Sequence, residues 1–181
     1  YEDFVKERIL KPLGMDRTYF KADEVLKDPE VATPYIIDRE GKHIPSKFPF
    51  GITSDGGLLS NVIDMSKYVT MLINRGEYNG TRILSKELLE TAERGYIDVP
   101  WKIIGDERYG YGLIISQNFY GRKLIEHSGN VGVYTADMAY VPSDRIGVVI
   151  MANAEGYSLS KMGIYVLSRL LGHDPSELMP F

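Results

Sequence analysis

The chain has 181 residues, 44% of them hydrophobic and 25% charged, with a formal net charge of −4 at pH 7. That is the composition of a globular domain with a real core; it offers no basic footprint for nucleic acid and no apolar run of membrane-spanning length, and no signal-peptide pattern is read at its start. Cysteine is absent, which excludes disulfides, thiolate metal sites and a cysteine nucleophile within the sequence but leaves the compartment unknown.

In chain order, Tyr1, Val5 and Ile9 recur at four-residue spacing and predict a helix with one core-facing stripe, stopped by Pro12. A chain that starts on a core-facing residue suggests a piece of a longer polypeptide. Residues 33–50 hold Pro34, Gly41, Pro45 and Pro49 without helical period, so an extended excursion with at most a short hairpin is expected. Residues 51–57 hold three glycines and form a tight loop. Met65, Tyr68, Val69, Leu72 and Ile73 carry the helical period. Asn61 is the expected cap, Asp64 suits the first turn, and Gly76 is the expected stop. A shorter helix from Ser85 to Gly95 is expected to bury Leu88, Leu89 and Ala92.

The period then changes to two. Tyr109, Tyr111, Leu113 and Ile115 predict one strand, and residues 122–127, 133–141 and 146–151 predict three more. The short links imply an antiparallel meander. The nearly all-apolar run 146–151 is expected to be covered on both faces. Leu159, Met162, Val166, Leu167, Leu170 and Leu171 predict a last helix across the sheet, ended by Gly172. Residues 173–181 are expected to be linker-like.

Several ordered segments resemble the serine β-lactamase and D-alanyl-peptidase superfamily, in its class C and esterase-like branch. They are Pro12-Leu13-Gly14-Met15 with Thr18, Gly56-Gly57-Leu58-Leu59-Ser60 with Asp64-Met65, Tyr109-Gly110-Tyr111-Gly112-Leu113, and His127-Ser128-Gly129 followed by Gly132, Pro142 and Asn153. Each is weak alone; their order over nearly the whole chain carries the resemblance. It implies a mixed α/β fold, an antiparallel sheet flanked by helices plus a helical lobe, incomplete at its N-terminal side. Residues 1 to about 95 would form the helical lobe and cleft wall, and about 96–172 the sheet lobe and final helix. Members of the superfamily use Ser-x-x-Lys, Tyr-x-Asn, and Lys-Thr-Gly or His-x-Gly motifs. His127-Ser128-Gly129 matches the third; the first two would precede Tyr1.

The resemblance implies a serine hydrolase that forms an acyl-enzyme on amide, peptide or ester substrates, with this chain inactive alone. Asn130 would offer its N–H to the developing oxyanion. Gly129 would let substrate approach, Ser128 would bind a carboxylate or relay a proton, and His127 would orient Ser128 or transfer a proton. Tyr109, Tyr111 and Tyr134 are candidates to line the cleft. Histidine in place of lysine weakens carboxylate anchoring, which favours D-amino-acid peptides or small esters over β-lactams. Serine acyl transfer requires no cofactor or metal.

The sequence Ser158-Leu159-Ser160-Lys161 also matches Ser-x-x-Lys, but it opens the last helix, where Ser158 is an expected N-cap. His43 and His173 are expected to be structural, and Asp55 and Asp137 receive no role. The partners expected are a small-molecule or peptide substrate, and the N-terminal remainder or a swapped copy covering the edge of the last strand. An oligomer is the expected state, in a family often found outside the cytoplasm. A binding or assembly protein that keeps the fold without catalysis is the alternative.

Overall fold

A computed structural model of the chain describes all residues except Pro49, Ile52, Thr53 and Met179 to Phe181; part of the expected 51–57 loop therefore lies outside the described residues. The first helix has three contiguous parts: α1 (Glu2–Val5), a wide π-type turn (Lys6–Leu10) and α2 (Lys11–Leu13). Pro12 does not stop it. A proline ring crowds the carbonyl four residues back, and that carbonyl, of Arg8, falls inside the wide turn, where the backbone has room. The stop is Gly14, at φ 63°. Gly14 N–H bonds Lys11 O at 3.0 Å and Met15 N–H bonds Leu10 O at 2.9 Å, the paired closure of a Schellman end. Val5 and Ile9 pack partly buried against the core. Tyr1 does not; it is 65% exposed, with its ring edge against Phe20 at 5.9 Å.

After the short α3 (Ala22–Val25), strands β1 (Tyr35–Ile37) and β2 (His43–Pro45) form the expected hairpin. Helix α4 (Val62–Ile73) is capped by Asn61, whose side chain accepts from Ile63 N–H and Asp64 N–H at 3.0 Å each. Asp64 does more than favour the dipole. It is buried and accepts from Arg17 N–H at 2.9 Å, the Thr18 hydroxyl at 3.0 Å and Lys67 Nζ at 2.9 Å. This carboxylate ties the segment after the first helix to α4.

The left-handed residue after α4 is Arg75 (φ 58°), one position before the expected stop; Gly76 (φ 91°) follows it. A Cβ at Gly76 would lie 2.0 Å from Leu84 O, so close backbone approach requires glycine there. That approach belongs to a second hairpin, β3 (Glu77–Tyr78) with β4 (Thr81–Arg82), absent from the sequence expectations. Helix α5 (Lys86–Ala92) buries Leu89, but Leu88 is 60% exposed, contrary to expectation. A seven-residue helix has one narrow inner stripe, which Leu89 and Ala92 occupy.

The main sheet has six antiparallel strands: β5 (Ile97–Asp98), β6 (Arg108–Tyr109), β7 (Ile114–Phe119), β8 (Arg122–Asn130), β9 (Thr135–Val141) and β10 (Ile146–Ala152), in the order β10-β9-β8-β7-β6-β5. The expected strand from Tyr109 to Ile115 is two strands broken by a turn, where Gly110 N–H bonds Leu113 O at 2.7 Å and Gly112 takes φ 69°. On one face Leu13, Leu72, Leu89, Ile115, Ile125 and Tyr140 share a core. On the other, helix α6 (Leu159–Leu170) sets Ile164 and Leu167 against Phe119, Leu124, Ala139 and Val141. Both α4 and α6 pack on β10, yet its residues stay half-buried or exposed because β10 is the end strand.

The tail does not run free as far as Leu178. His173 stacks on Tyr120 at 3.9 Å, Tyr120 OH donates to Asp174 O at 3.1 Å, and Pro175 is buried. No helix among the described residues is long and apolar enough to cross a membrane.

The three donors on Asp64 generate a test. Asp64→Ala strands the Arg17 N–H and leaves Thr18 and Lys67 only their bonds to Ser60 and Gly14 O, and urea denaturation is expected to show a loss of about 2 kcal/mol. An unchanged midpoint would remove Asp64 as the anchor between the first helix and α4.

Candidate active site

The site is made by a mismatch in strand length. β8 has nine residues, but β7 accompanies it only as far as the pair Ile114 with Glu126. Beyond that point the turn at 110–113 has ended β7, and β8 pairs with β9 alone. The partners are His127 with Met138, Ser128 with Asp137, Gly129 with Ala136 and Asn130 with Thr135. The 127–130 segment therefore presents one strand edge without a ladder, and such an edge offers backbone N–H and C=O groups to an incoming chain. Ser128, Gly129 and Asn130 are exposed, and His127 is half-buried.

Tyr109, at the end of β6, reaches across the gap left by β7. Its hydroxyl lies 2.9 Å from His127 Nε2, with the two rings 5.9 Å apart at 68°. Burial pushes the imidazole pKa below the ordinary 6.5, against a smaller opposing effect of a hydrogen bond that the ring donates to the Ser128 backbone. A ring so placed is neutral at pH 7 and has one donor and one acceptor nitrogen. The Tyr109 hydroxyl can serve either, so it fixes ring position and can pass a proton.

Asn130 stabilises the turn itself. Its Oδ1 accepts from Gly132 N–H at 2.7 Å, Gly132 takes φ 80°, and Val131 N–H bonds Tyr134 O at 3.1 Å. Its side chain is thereby engaged in turn closure. Tyr134 follows the turn that Asn130 closes. Its hydroxyl donates to Ala32 O and its ring lies 5.9 Å from Phe48, so it fastens the 32–48 excursion to the hairpin. Tyr111 is exposed and meets Tyr96 edge-on at 5.3 Å.

The remaining sequence candidates lie elsewhere. Ser158 precedes α6 but its side chain makes no cap bond; Ser160 instead donates to Asp137 Oδ1 at 3.0 Å. His43 contacts Tyr157 OH at 3.3 Å, and His173 pairs with Glu177 at 3.7 Å. Among the described residues no group of His, Asp and Glu side chains is arranged to hold a metal ion. The Tyr109 contact was not foreseen, because the sequence expectation ran Tyr109 and Ile115 into one strand and hid the gap.

Two-dimensional NMR of the imidazole nitrogens tests this geometry. His127 is expected to titrate below pH 6.5, and Tyr109→Phe to change its tautomer balance at pH 7. A midpoint above 6.5 would contradict the buried, neutral ring.

Comparison with known proteins agrees with this architecture. The family model described as Beta-lactamase matches residues 1–168. The octameric penicillin-binding protein homologue from Pyrococcus abyssi is 51% identical, with a TM-score of 0.94 over 100% of this chain and 40% of that one. A class C beta-lactamase shares the fold at 17% identity and a TM-score of 0.70, over 93% of this chain and 52% of that one. Among curated proteins, Beta-lactamase-like protein 4 of Dictyostelium discoideum is 26% identical over 82% of this chain and 26% of its own length. An unguisins hydrolase of Aspergillus campestris is 25% identical over 93% of this chain and 32% of its own length. The chain thus spans about a third or less of these curated relatives and about half or less of these solved structures. It belongs to the beta-lactamase family, in the superfamily of serine β-lactamases and penicillin-binding proteins, and has that family's mixed α/β fold.

Proposed function

We propose that residues 1–181 are the C-terminal portion of one β-lactamase-like domain in a serine hydrolase, supplying its third active-site motif but not its nucleophile. The observation that carries this is the open edge of β8 at 127–130, with His127 held by Tyr109. In the proposed reaction a serine oxygen from the preceding part of the polypeptide attacks a substrate carbonyl. Its proton passes to a neighbouring base, and the leaving group departs with a proton to give an acyl-enzyme that water then hydrolyses. Asn130 N–H would face the oxyanion, Gly129 would admit the substrate backbone, and Ser128 would hold a substrate carboxylate or relay a proton. His127 and Tyr109 would act together as a proton-transfer pair.

The substrates we propose are D-amino-acid peptides or small esters in preference to β-lactams. A neutral imidazole holds a carboxylate less firmly than an ammonium does. The proposed assembly is oligomeric, with the N-terminal remainder of the polypeptide, or a swapped copy, beside β10. The 51% identical homologue from Pyrococcus abyssi, an octamer, supports self-association.

In the complete enzyme, His127→Ala is expected to lower kcat/KM by about 100-fold or more, with Ser158→Ala close to the unsubstituted enzyme. A serine-acylating probe should label a residue upstream of Tyr1 and leave this chain unlabelled, as digestion and mass analysis would show. No label anywhere in the complete polypeptide would favour a binding or assembly protein. A kcat/KM for penicillins far above that for D-aminoacyl peptides and esters would reject the substrate preference.

A further inference from the structure

Directly behind the site strand, on the α6 face of the sheet, two acidic side chains meet. Glu126 precedes His127 on β8, and Asp137 stands opposite Ser128 on β9. They are 4% and 2% exposed. Ser160 of α6 donates to Asp137 Oδ1 at 3.0 Å, but Glu126 Oε2 and Asp137 Oδ2 are buried without a hydrogen-bond partner. Helix α6 closes over them at Gly163, where a Cβ would lie 2.6 Å from Asp137 Oδ2.

The other ionisable group acting on Glu126 is Glu107, whose carboxylate already accepts the N–H groups of Ile103, Ile104 and Gly105 and adds negative charge. From α6 the facing polar group is Ser160, and no ion pair reaches either member among the described residues. Two buried carboxylates with orphaned acceptors and no cation cannot both carry charge cheaply. A proton on one supplies the missing donor to the other.

We propose that Glu126 and Asp137 share a proton across β8 and β9 and act as positioning residues, seating α6 on the sheet and thereby fixing the 127–130 edge. The proposal does not depend on the chemistry of the preceding section. Burial, then the facing Asp137 charge, pushes Glu126 up from 4.5 to about 7, and burial pushes Asp137 up from 3.8 to about 6. Both folded values lie above the unfolded ones. Their contribution to stability is therefore complete below about pH 4 and is lost as pH rises through about 6 to 7.

Carbon-13 NMR of the side-chain carboxyls in the unsubstituted protein is the direct test. Two resonances with midpoints above pH 5 are expected, and assignment of both members below pH 5 would overturn the proposal. Melting curves add a second measurement. Glu126→Gln removes a charge but keeps the shape, and is expected to raise Tm by several degrees at pH 8, with the gap closing towards pH 4. An unchanged Tm at pH 8 would overturn the proposal. Hydrogen exchange separates positioning from stability alone: protection of those 127–130 amides that pair with β9, corrected for intrinsic rate, should fall between pH 6 and 8 in the unsubstituted protein and hold steady in Glu126→Gln. Equal protection at both pH values in the unsubstituted protein would remove the link to the site strand. Were Glu126→Gln not to fold, the carboxyl titration and the exchange data of the unsubstituted protein would decide.

Discussion

The early end of β7 is the constraint on which the rest of the site depends. Its cause lies in the packing of α5 against the turn at 110–113. A Cβ at Gly110 would meet Ala92 O at 2.4 Å and Arg94 O at 2.9 Å, and Tyr111 N–H donates to Ala92 O at 3.1 Å. The last carbonyls of a helix need partners, and this turn supplies one. The backbone must bend away from β8 to do so. β8 then outruns its neighbour, His127 loses a flanking strand, and Tyr109 takes the vacated place beside it. A local demand for hydrogen bonds at the end of α5 is thus converted into an open strand edge.

Buried acids organise the rest. Asp64, Glu93 and Glu107 are each surrounded by donors. Glu93 accepts from Arg75 at 2.7 and 2.9 Å and from Tyr140 OH at 2.8 Å, joining α5, the end of α4 and the sheet core. A buried carboxylate so supplied fixes geometry, because removing any partner exposes the full desolvation cost. Glu126 and Asp137 differ in having more acceptor atoms than donors, and they lie on the two strands that carry the site hairpin. The fold therefore uses donor-supplied acidic side chains as rigid ties and an incompletely satisfied pair behind the site.

Much of this architecture was legible in the sequence. The period of α4 and α6, the cap at Asn61 and the β8–β9–β10 meander follow from patterns that tertiary packing reinforces. His127 to Asn130 were found as a continuous motif, and the structure sets them on one strand edge. Misreadings arose where local pattern and packing disagree. Tyr-Gly-Tyr-Gly alternates like a strand, yet its glycines serve a turn and a close helix contact. Leu88 has the right chemistry for a core and the wrong angle on a short helix. The β3–β4 hairpin did leave a signal: Asn79 and Gly80 take φ 46° and 77°, the pair of left-handed residues that tight hairpins favour. The Tyr109–His127 and Glu126–Asp137 contacts left none, since strand register alone creates them.

The wide turn in the first helix bears on how this segment can change through time. A π-type turn holds one residue more than an ordinary turn, and each residue of a helix rotates the chain by about 100°. Losing a residue elsewhere in the helix would turn the upstream part by that angle, but losing one between Lys6 and Leu10 would only close the wide turn into an ordinary one above Leu10 and Leu13, which stay fixed in the core. Phe4, 64% exposed, would stay on the outer face. The sequence 6–10 is thus a point where the helix can lose one residue while its faces and the core beneath it stay the same.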